Sequence, residues 1–177
     1  MDLKPENILF LSSVEQNIKL IDFHQAQATC GDKPLKMLKR PLPSASLGKA
    51  VGTSYYVAPE VFDQDYNEKC DCWSIGCILY AMLTGVAPFD GDTDAEIIAK
   101  VRRGKYEVEV LENAGVTQPC MNFIAKLLTK DKNLRISAED ALKDPWITEH
   151  FNRNNAEEQV NDKVLAELGK FKTGKRL

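Results

Sequence analysis

Apolar residues in this chain come first in short bursts and then settle into helical spacing. Ile8-Leu9-Phe10-Leu11 and Ile18-Lys19-Leu20-Ile21 are brief apolar runs joined by the polar stretch 12–17, which predicts a hairpin of two small strands. Residues 25–52 show no period, because Gly31, Pro34, Pro41, Pro43 and Gly48 interrupt every repeat. They predict a long irregular loop, basic through Lys33, Lys36, Lys39, Arg40 and Lys49. Loops of that length commonly carry function.

The remainder reads as helices. Lys69 to Thr84 carries apolar residues nearly all round (Trp73, Ile75, Ile78, Leu79, Met82, Leu83), the pattern of a buried central helix. Thr93-Asp94-Ala95-Glu96 is a capping box, predicting a helix that runs towards Arg103 and stops at Gly104. Phe123, Leu127 and Leu128 mark an amphipathic helix begun near Pro119. Ser137-Ala138-Glu139-Asp140 caps another short helix, which Pro145 is expected to end. Residues 156–170 predict a last amphipathic helix with Val160, Val164, Leu165 and Leu168 on one side, continued by Phe171.

Composition narrows the class without naming a function. Over 177 residues, 28% charged and 44% apolar content fits one soluble globular domain with one core. A net charge of −3 sets up no field favouring nucleic acid or an anionic membrane. The longest apolar stretch, residues 75–86, is broken by Gly76, Cys77 and Thr84 and is too short to span a bilayer. Met1-Asp2-Leu3-Lys4-Pro5 lacks the basic start and apolar run of a secretory leader, so the expected location is cytoplasmic. The five cysteines include the cluster Cys70, Cys72 and Cys77, with no paired C-x-x-C or nearby His to complete a zinc set. Reduced thiols acting as small apolar residues are the reading.

The chemistry gathers at the start. Asp2, Lys4, Asn7 and Asp22 supply two carboxylates, an ammonium and an amide, on a tight Pro-containing loop and at the end of the hairpin. Antiparallel strands return Asp22 towards Asn7, where a carboxylate and an amide oxygen suit a hard cation such as magnesium with phosphate oxygens. Lys4 adds a point charge for a phosphate, and Asp2 remains as an acceptor for a hydroxyl proton.

Asp2-Leu3-Lys4-Pro5-Glu6-Asn7 resembles the catalytic loop of protein kinases, and Asp22-Phe23-His24 resembles the magnesium-binding Asp-Phe-Gly triplet. At about one in twenty per position, a chance match to the hexapeptide is on the order of one in tens of millions. Gly52-Thr53-Ser54-Tyr55-Tyr56-Val57-Ala58-Pro59-Glu60 is similar to the substrate-docking loop ending in Ala-Pro-Glu. Asp71-Cys72-Trp73-Ser74-Ile75-Gly76, Pro88-Phe89, Arg135-Ile136-Ser137 and Pro145-Trp146 follow in the family's order. Tyr66-Asn67-Glu68-Lys69-Cys70-Asp71-Cys72-Trp73-Ser74 and Gly104-Lys105-Tyr106 point to the calcium/calmodulin-dependent group, nearest to calcium-dependent kinases with a calmodulin-like domain. Leu165-Ala166-Glu167-Leu168-Gly169-Lys170-Phe171 resembles the opening of that subgroup's autoinhibitory junction.

The resemblance implies a mainly α fold, the kinase C-terminal lobe built round a buried central helix with a small β-hairpin, the N-terminal lobe being absent. It implies a lobe over residues 1–150 and the start of a regulatory junction over 151–177. The implied activity is transfer of the γ-phosphoryl of ATP, with Mg2+, to Ser or Thr of protein substrates. Calmodulin, or a calmodulin-like domain of its own, is the implied regulator. Asp2 would orient the substrate hydroxyl and take its proton, Lys4 would steady the transferring phosphoryl, and Asn7 and Asp22 would bind magnesium. Leu9 would lie under adenine, Thr53 would favour Ser/Thr substrates, and Glu6 would receive a basic substrate residue. Ala81 stands where relatives that read a second arginine carry an acid. Glu60 and Arg135 would form an ion pair, and Asp71 would accept backbone N–H groups of the catalytic loop, all three in structural roles.

Three departures qualify this. No segment resembles the glycine-rich phosphate loop, the strand lysine or its glutamate partner, and Met1 stands where the family has the arginine of His-Arg-Asp. A sequence starting inside a longer kinase is expected, with no turnover by the fragment alone. His24 replaces the glycine of the triplet, where a positive φ would cost a His. Ser44 and Ser46, near Arg40, are candidate phosphosites. The competing function is a catalytically inactive docking module that binds protein partners.

Overall fold

The computed structural model describes residues 2–11, 17–24, 26 and 53–154, with backbone alone for Thr53 and 150–154. The helix expected over 156–170, Ser44, Ser46 and Cys30 lie outside the described residues. A 3-10 turn, Pro5–Asn7, leads into β1 (Ile8–Phe10), which pairs antiparallel with β2 (Ile18–Leu20). Ile8 stands opposite Leu20, and Phe10 opposite Ile18. A second 3-10 turn, Thr53–Tyr56, precedes α1 (Pro59–Phe62), α2 (Lys69–Thr84), α3 (Asp94–Arg103), α4 (Val108–Asn113), α5 (Gln118–Leu127), α6 (Ala138–Leu142) and α7 (Pro145–Asn154). The mainly helical fold with one small antiparallel hairpin is the one the sequence implied.

The core is organised round α2. Trp73 and Cys77 are wholly buried, and Ile78, Tyr80 and Ala81 nearly so. The Trp73 ring stacks on Phe89 at 5.3 Å, and Phe89 and Tyr80 both meet Tyr106 edge-on. These contacts bring the loop after α2 and the segment before α4 onto the central helix. On the other side α5 lies close to α2, because Gly76 has no side chain. A Cβ there would come 2.8 Å from Leu128 Cδ2 and 2.9 Å from Leu127 Cβ. Phe123 and Trp146 stack at 5.2 Å and join α5 to α7. An apolar groove of about 410 Å³ lies between Ile75 and Leu79 of α2, Phe123 of α5, Leu142 of α6, and Trp146 and Ile147 of α7.

Local signals explain the ends. Thr93 caps α3, its Oγ1 accepting from the Glu96 N–H, while the Glu96 carboxylate accepts from the Asp92 N–H at 3.0 Å. Gly104, at φ 69°, ends the helix in the left-handed conformation that glycine adopts cheaply. Ser137 caps α6 through the Asp140 N–H at 3.1 Å.

The helices α1, α4 and α7 depart from the expectation. Pro145 does not end α6, which is over by Leu142; it opens α7, which runs past residue 150. The Asp144 carboxylate accepts the Trp146 N–H at 2.9 Å, and Pro145 supplies a φ suited to a first helical position and has no N–H to leave unpaired. The short helix α4 has no counterpart among the sequence expectations; only Leu111 of its residues is buried. No helix among the described residues is long and apolar enough to cross a membrane.

Gly76→Ala tests the α2–α5 contact. Overpacking costs about 1–3 kcal/mol and outweighs the roughly 1 kcal/mol of helix propensity gained, so urea denaturation should show a net loss of stability. Cys70, Cys72, Cys77 and Cys120 are buried, and burial pushes the thiols of Cys70 and Cys120 up to about 12 and about 11. All four should resist iodoacetamide at pH 8 in the folded chain and label in urea, as read by peptide mass mapping.

Candidate active site

The loop 2–7 folds on itself. Pro5 sets the first φ of the 3-10 turn, and the Asn7 N–H closes it on the Lys4 carbonyl at 2.9 Å. Leu3 is buried in the same cluster as Tyr56, Trp73 and Cys77, anchoring the loop to the helical core. Asn7 is also buried, and its Nδ2 donates to the Asp2 carbonyl at 2.7 Å, which leaves the amide oxygen as the end able to meet a cation. The Lys4 ammonium lies 2.9 Å from the Asp2 carboxylate. That carboxylate raises the Lys4 pKa, so the lysine stays charged throughout the neutral range.

The hairpin returns the chain to this loop. The Ile21 N–H donates to the Asn7 carbonyl at 2.9 Å, so Asp22 follows directly on the residue tied to Asn7. Lys4 and Asp22 also act on each other electrostatically, each favouring the other's charged form. Asp22 has φ 62°, in the left-handed region that Asp tolerates better than most residues. Its Oδ1 meets His24 Nδ1, and this contact is the main cause holding the Asp22 carboxyl below its ordinary pKa. His24 does not meet the cost that a positive φ would carry: among the described non-glycine residues that conformation falls on Asp22 and Gln64. The Ala26 N–H closes a turn on the Phe23 carbonyl at 2.9 Å, and His24 sits inside that turn.

The other candidate residues spread outward. Glu6 is exposed on the 3-10 turn, and Leu9 lies on β1, 47% exposed. Thr53 opens the second 3-10 turn, and its side chain is outside the described set. Ala81 is buried in α2. Asp71 stands in the first turn of α2, where burial raises its carboxyl pKa. Arg135 is wholly buried and pairs with Glu60 of α1 through two parallel bonds, Nη2 to Oε2 being 2.9 Å. Its remaining N–H groups donate to the carbonyls of Thr129, Lys69 and Lys130. The sequence reading overlooked Ser74, whose Oγ donates to the Tyr56 carbonyl at 2.8 Å and ties the docking loop to α2. A lone polar residue inside an apolar helix was the available signal.

The protein kinase domain family matches residues 1–147, and the chain belongs to it. Its relatives lie in the calcium/calmodulin-dependent group. Myosin light chain kinase family member 4 of Mus musculus is 38% identical over 168 residues, covering 93% of this chain and 40% of that protein. Calcium-dependent protein kinase 3 of Plasmodium berghei is 38% identical over 165 residues, covering 93% of this chain and 28% of that protein. Calcium-dependent protein kinase 4 of Plasmodium falciparum is 36% identical over 156 residues, covering 87% and 27%. The chain therefore spans well under half the length of these relatives.

The buried ion pair yields a direct test. Glu60→Ala leaves a guanidinium uncompensated in the core, and urea denaturation should show a loss of about 3–5 kcal/mol. A double change, Glu60→Leu with Arg135→Met, should cost less than the two single changes summed.

Proposed function

We propose that this chain is the catalytic-loop portion of an ATP- and Mg2+-dependent protein Ser/Thr kinase. The supporting observation is the cluster of Asp2, Lys4 and Asn7 joined by a backbone bond to the strand that delivers Asp22. An amide oxygen and a carboxylate beside a lysine are a hard-oxygen donor set that fits magnesium carrying phosphate. Asp2 accepts the proton of a substrate Ser or Thr hydroxyl as its oxygen bonds to the γ-phosphorus of ATP, and the bond from that phosphorus to the β–γ bridging oxygen breaks to release ADP. Lys4 balances charge on the phosphoryl in transit. Asn7 and Asp22 hold magnesium, whose chemistry is the neutralisation of phosphate charge. Leu9 underlies the adenine, Glu6 receives a basic substrate residue, and Thr53 disposes the site to Ser/Thr.

Residues 1–150 form the lobe and 151–177 begin a regulatory junction, through which calcium acts by calmodulin or a calmodulin-like domain in a cytoplasmic enzyme. The names of the calcium-dependent relatives support the dependence on calcium. Positioning and charge neutralisation supply nearly all the catalysis of phosphoryl transfer, so the 177 residues alone, without a glycine-rich loop in their sequence, do not turn over. A second reading, a docking module for protein partners, draws support from the exposed apolar residues Leu9, Phe10, Leu11, Ile18 and Phe23 on and beside the hairpin.

Radiolabelled ATP decides the matter. The 177-residue chain should transfer no phosphate. A longer chain carrying the preceding segment should transfer it to Ser or Thr, and Asp2→Asn in that chain should lower kcat by about 10²–10⁴-fold. Full activity of that variant overturns the role of Asp2, and ordinary turnover by the 177 residues overturns the need for more chain.

A further inference from the structure

We propose that His24 restrains cation binding at Asp22: its imidazole engages one of the two carboxylate oxygens, so that a divalent metal meets a carboxylate already partnered on one side. The inference rests on the reading of Asp22 as a magnesium ligand and adds a residue that controls the affinity of that site.

Three observations carry it. Asp22 Oδ1 and His24 Nδ1 are in direct contact, two residues apart. The contact is built into the backbone: Asp22 takes a left-handed φ of 62°, and the turn closed by Ala26 on Phe23 fixes the chain round His24. Both side chains are open to solvent, at 36% for Asp22 and 63% for His24, so the imidazole can swing aside without disturbing the core. Glycine, the residue of the resembled triplet, offers no side chain for such a contact. A carboxylate oxygen that accepts from an imidazole has less electron density and less open space to give a hard cation, which binds through charge and geometry at close range. Exposed ion pairs are weak, which bounds the effect.

The probe is Mn2+, titrated into the 177-residue chain at fixed pH and followed by water-proton relaxation. His24→Ala removes the imidazole and keeps an ordinary backbone, whereas His24→Gly also frees the backbone, so comparing the two separates the side-chain effect from the conformational one. Both variants should bind Mn2+ about two- to five-fold more tightly than the parent chain. Asp22→Asn should lose that binding whichever residue stands at 24. In the parent chain, the His24 imidazole nitrogen resonances should shift as Mg2+ is added, with the half-saturation of metal binding. Unchanged binding in His24→Ala, with Asp22→Asn still defective, overturns the restraint and leaves Asp22 as a ligand. Weaker binding in His24→Ala also overturns it, making the imidazole a ligand. Undiminished binding by Asp22→Asn overturns the metal reading of Asp22, and the restraint with it.

Discussion

A guanidinium buried at 1% exposure cannot keep water as a partner, so each of its N–H groups must be met by protein. Arg135 meets that demand from three places in the chain: the Glu60 carboxylate of α1, the carbonyl of Lys69, and the adjacent carbonyls of Thr129 and Lys130. Its Cζ also lies 5.0 Å from the centre of the Trp73 ring. One side chain thus fixes where the docking loop ends, where the central helix begins and how the chain leaves α5. Burying such a charge is not in itself strongly stabilising. Its consequence here is specificity, because an arrangement lacking any of these partners leaves a charge or a carbonyl unmatched.

From that anchor the order passes to the candidate site through apolar contacts. Trp73 stacks on Phe89, Ser74 holds the Tyr56 carbonyl, and Tyr56 and Leu3 share one buried cluster with α2. Leu3 lies between Asp2 and Lys4, and burying it holds its two charged neighbours at the edge of the core, their side chains 11% and 22% exposed. Asn7 completes the arrangement from inside, spending its amide N–H on the Asp2 carbonyl. The groups with candidate chemistry are therefore borne on a loop whose rigidity comes from the helical core beneath. The hairpin beyond them is the opposite case, with Leu9, Phe10, Leu11 and Ile18 all exposed.

Legibility followed the range of the forces involved. The helix Lys69–Thr84 was plain because an apolar pattern all round has few other uses, and the caps at Thr93 and Ser137 were plain because a cap is a contact between residues three apart. Pro145 was misread because proline both ends and begins helices; the deciding contact, Asp144 to the Trp146 N–H, was itself local and available. The helix α4 escaped because Leu111 is the sole buried residue in it, too little for a period. At residue 24 the substitution for glycine was visible, but the left-handed conformation belongs to its neighbour Asp22, which the family pattern does not reveal.

The sequence by itself determined the helical elements with strong periods or caps, the hairpin, and the juxtaposition of Asp2, Lys4 and Asn7, since residues so near in the chain meet through local turns. Tertiary structure alone decided that Ser74 holds Tyr56, that Gly76 admits α5 against α2, and that Arg135 is satisfied by three separate segments. The reason is physical. Propensity and capping act over one or two turns of chain, whereas the pairing of buried polar groups and the closeness of two helices depend on which distant segments the core brings together.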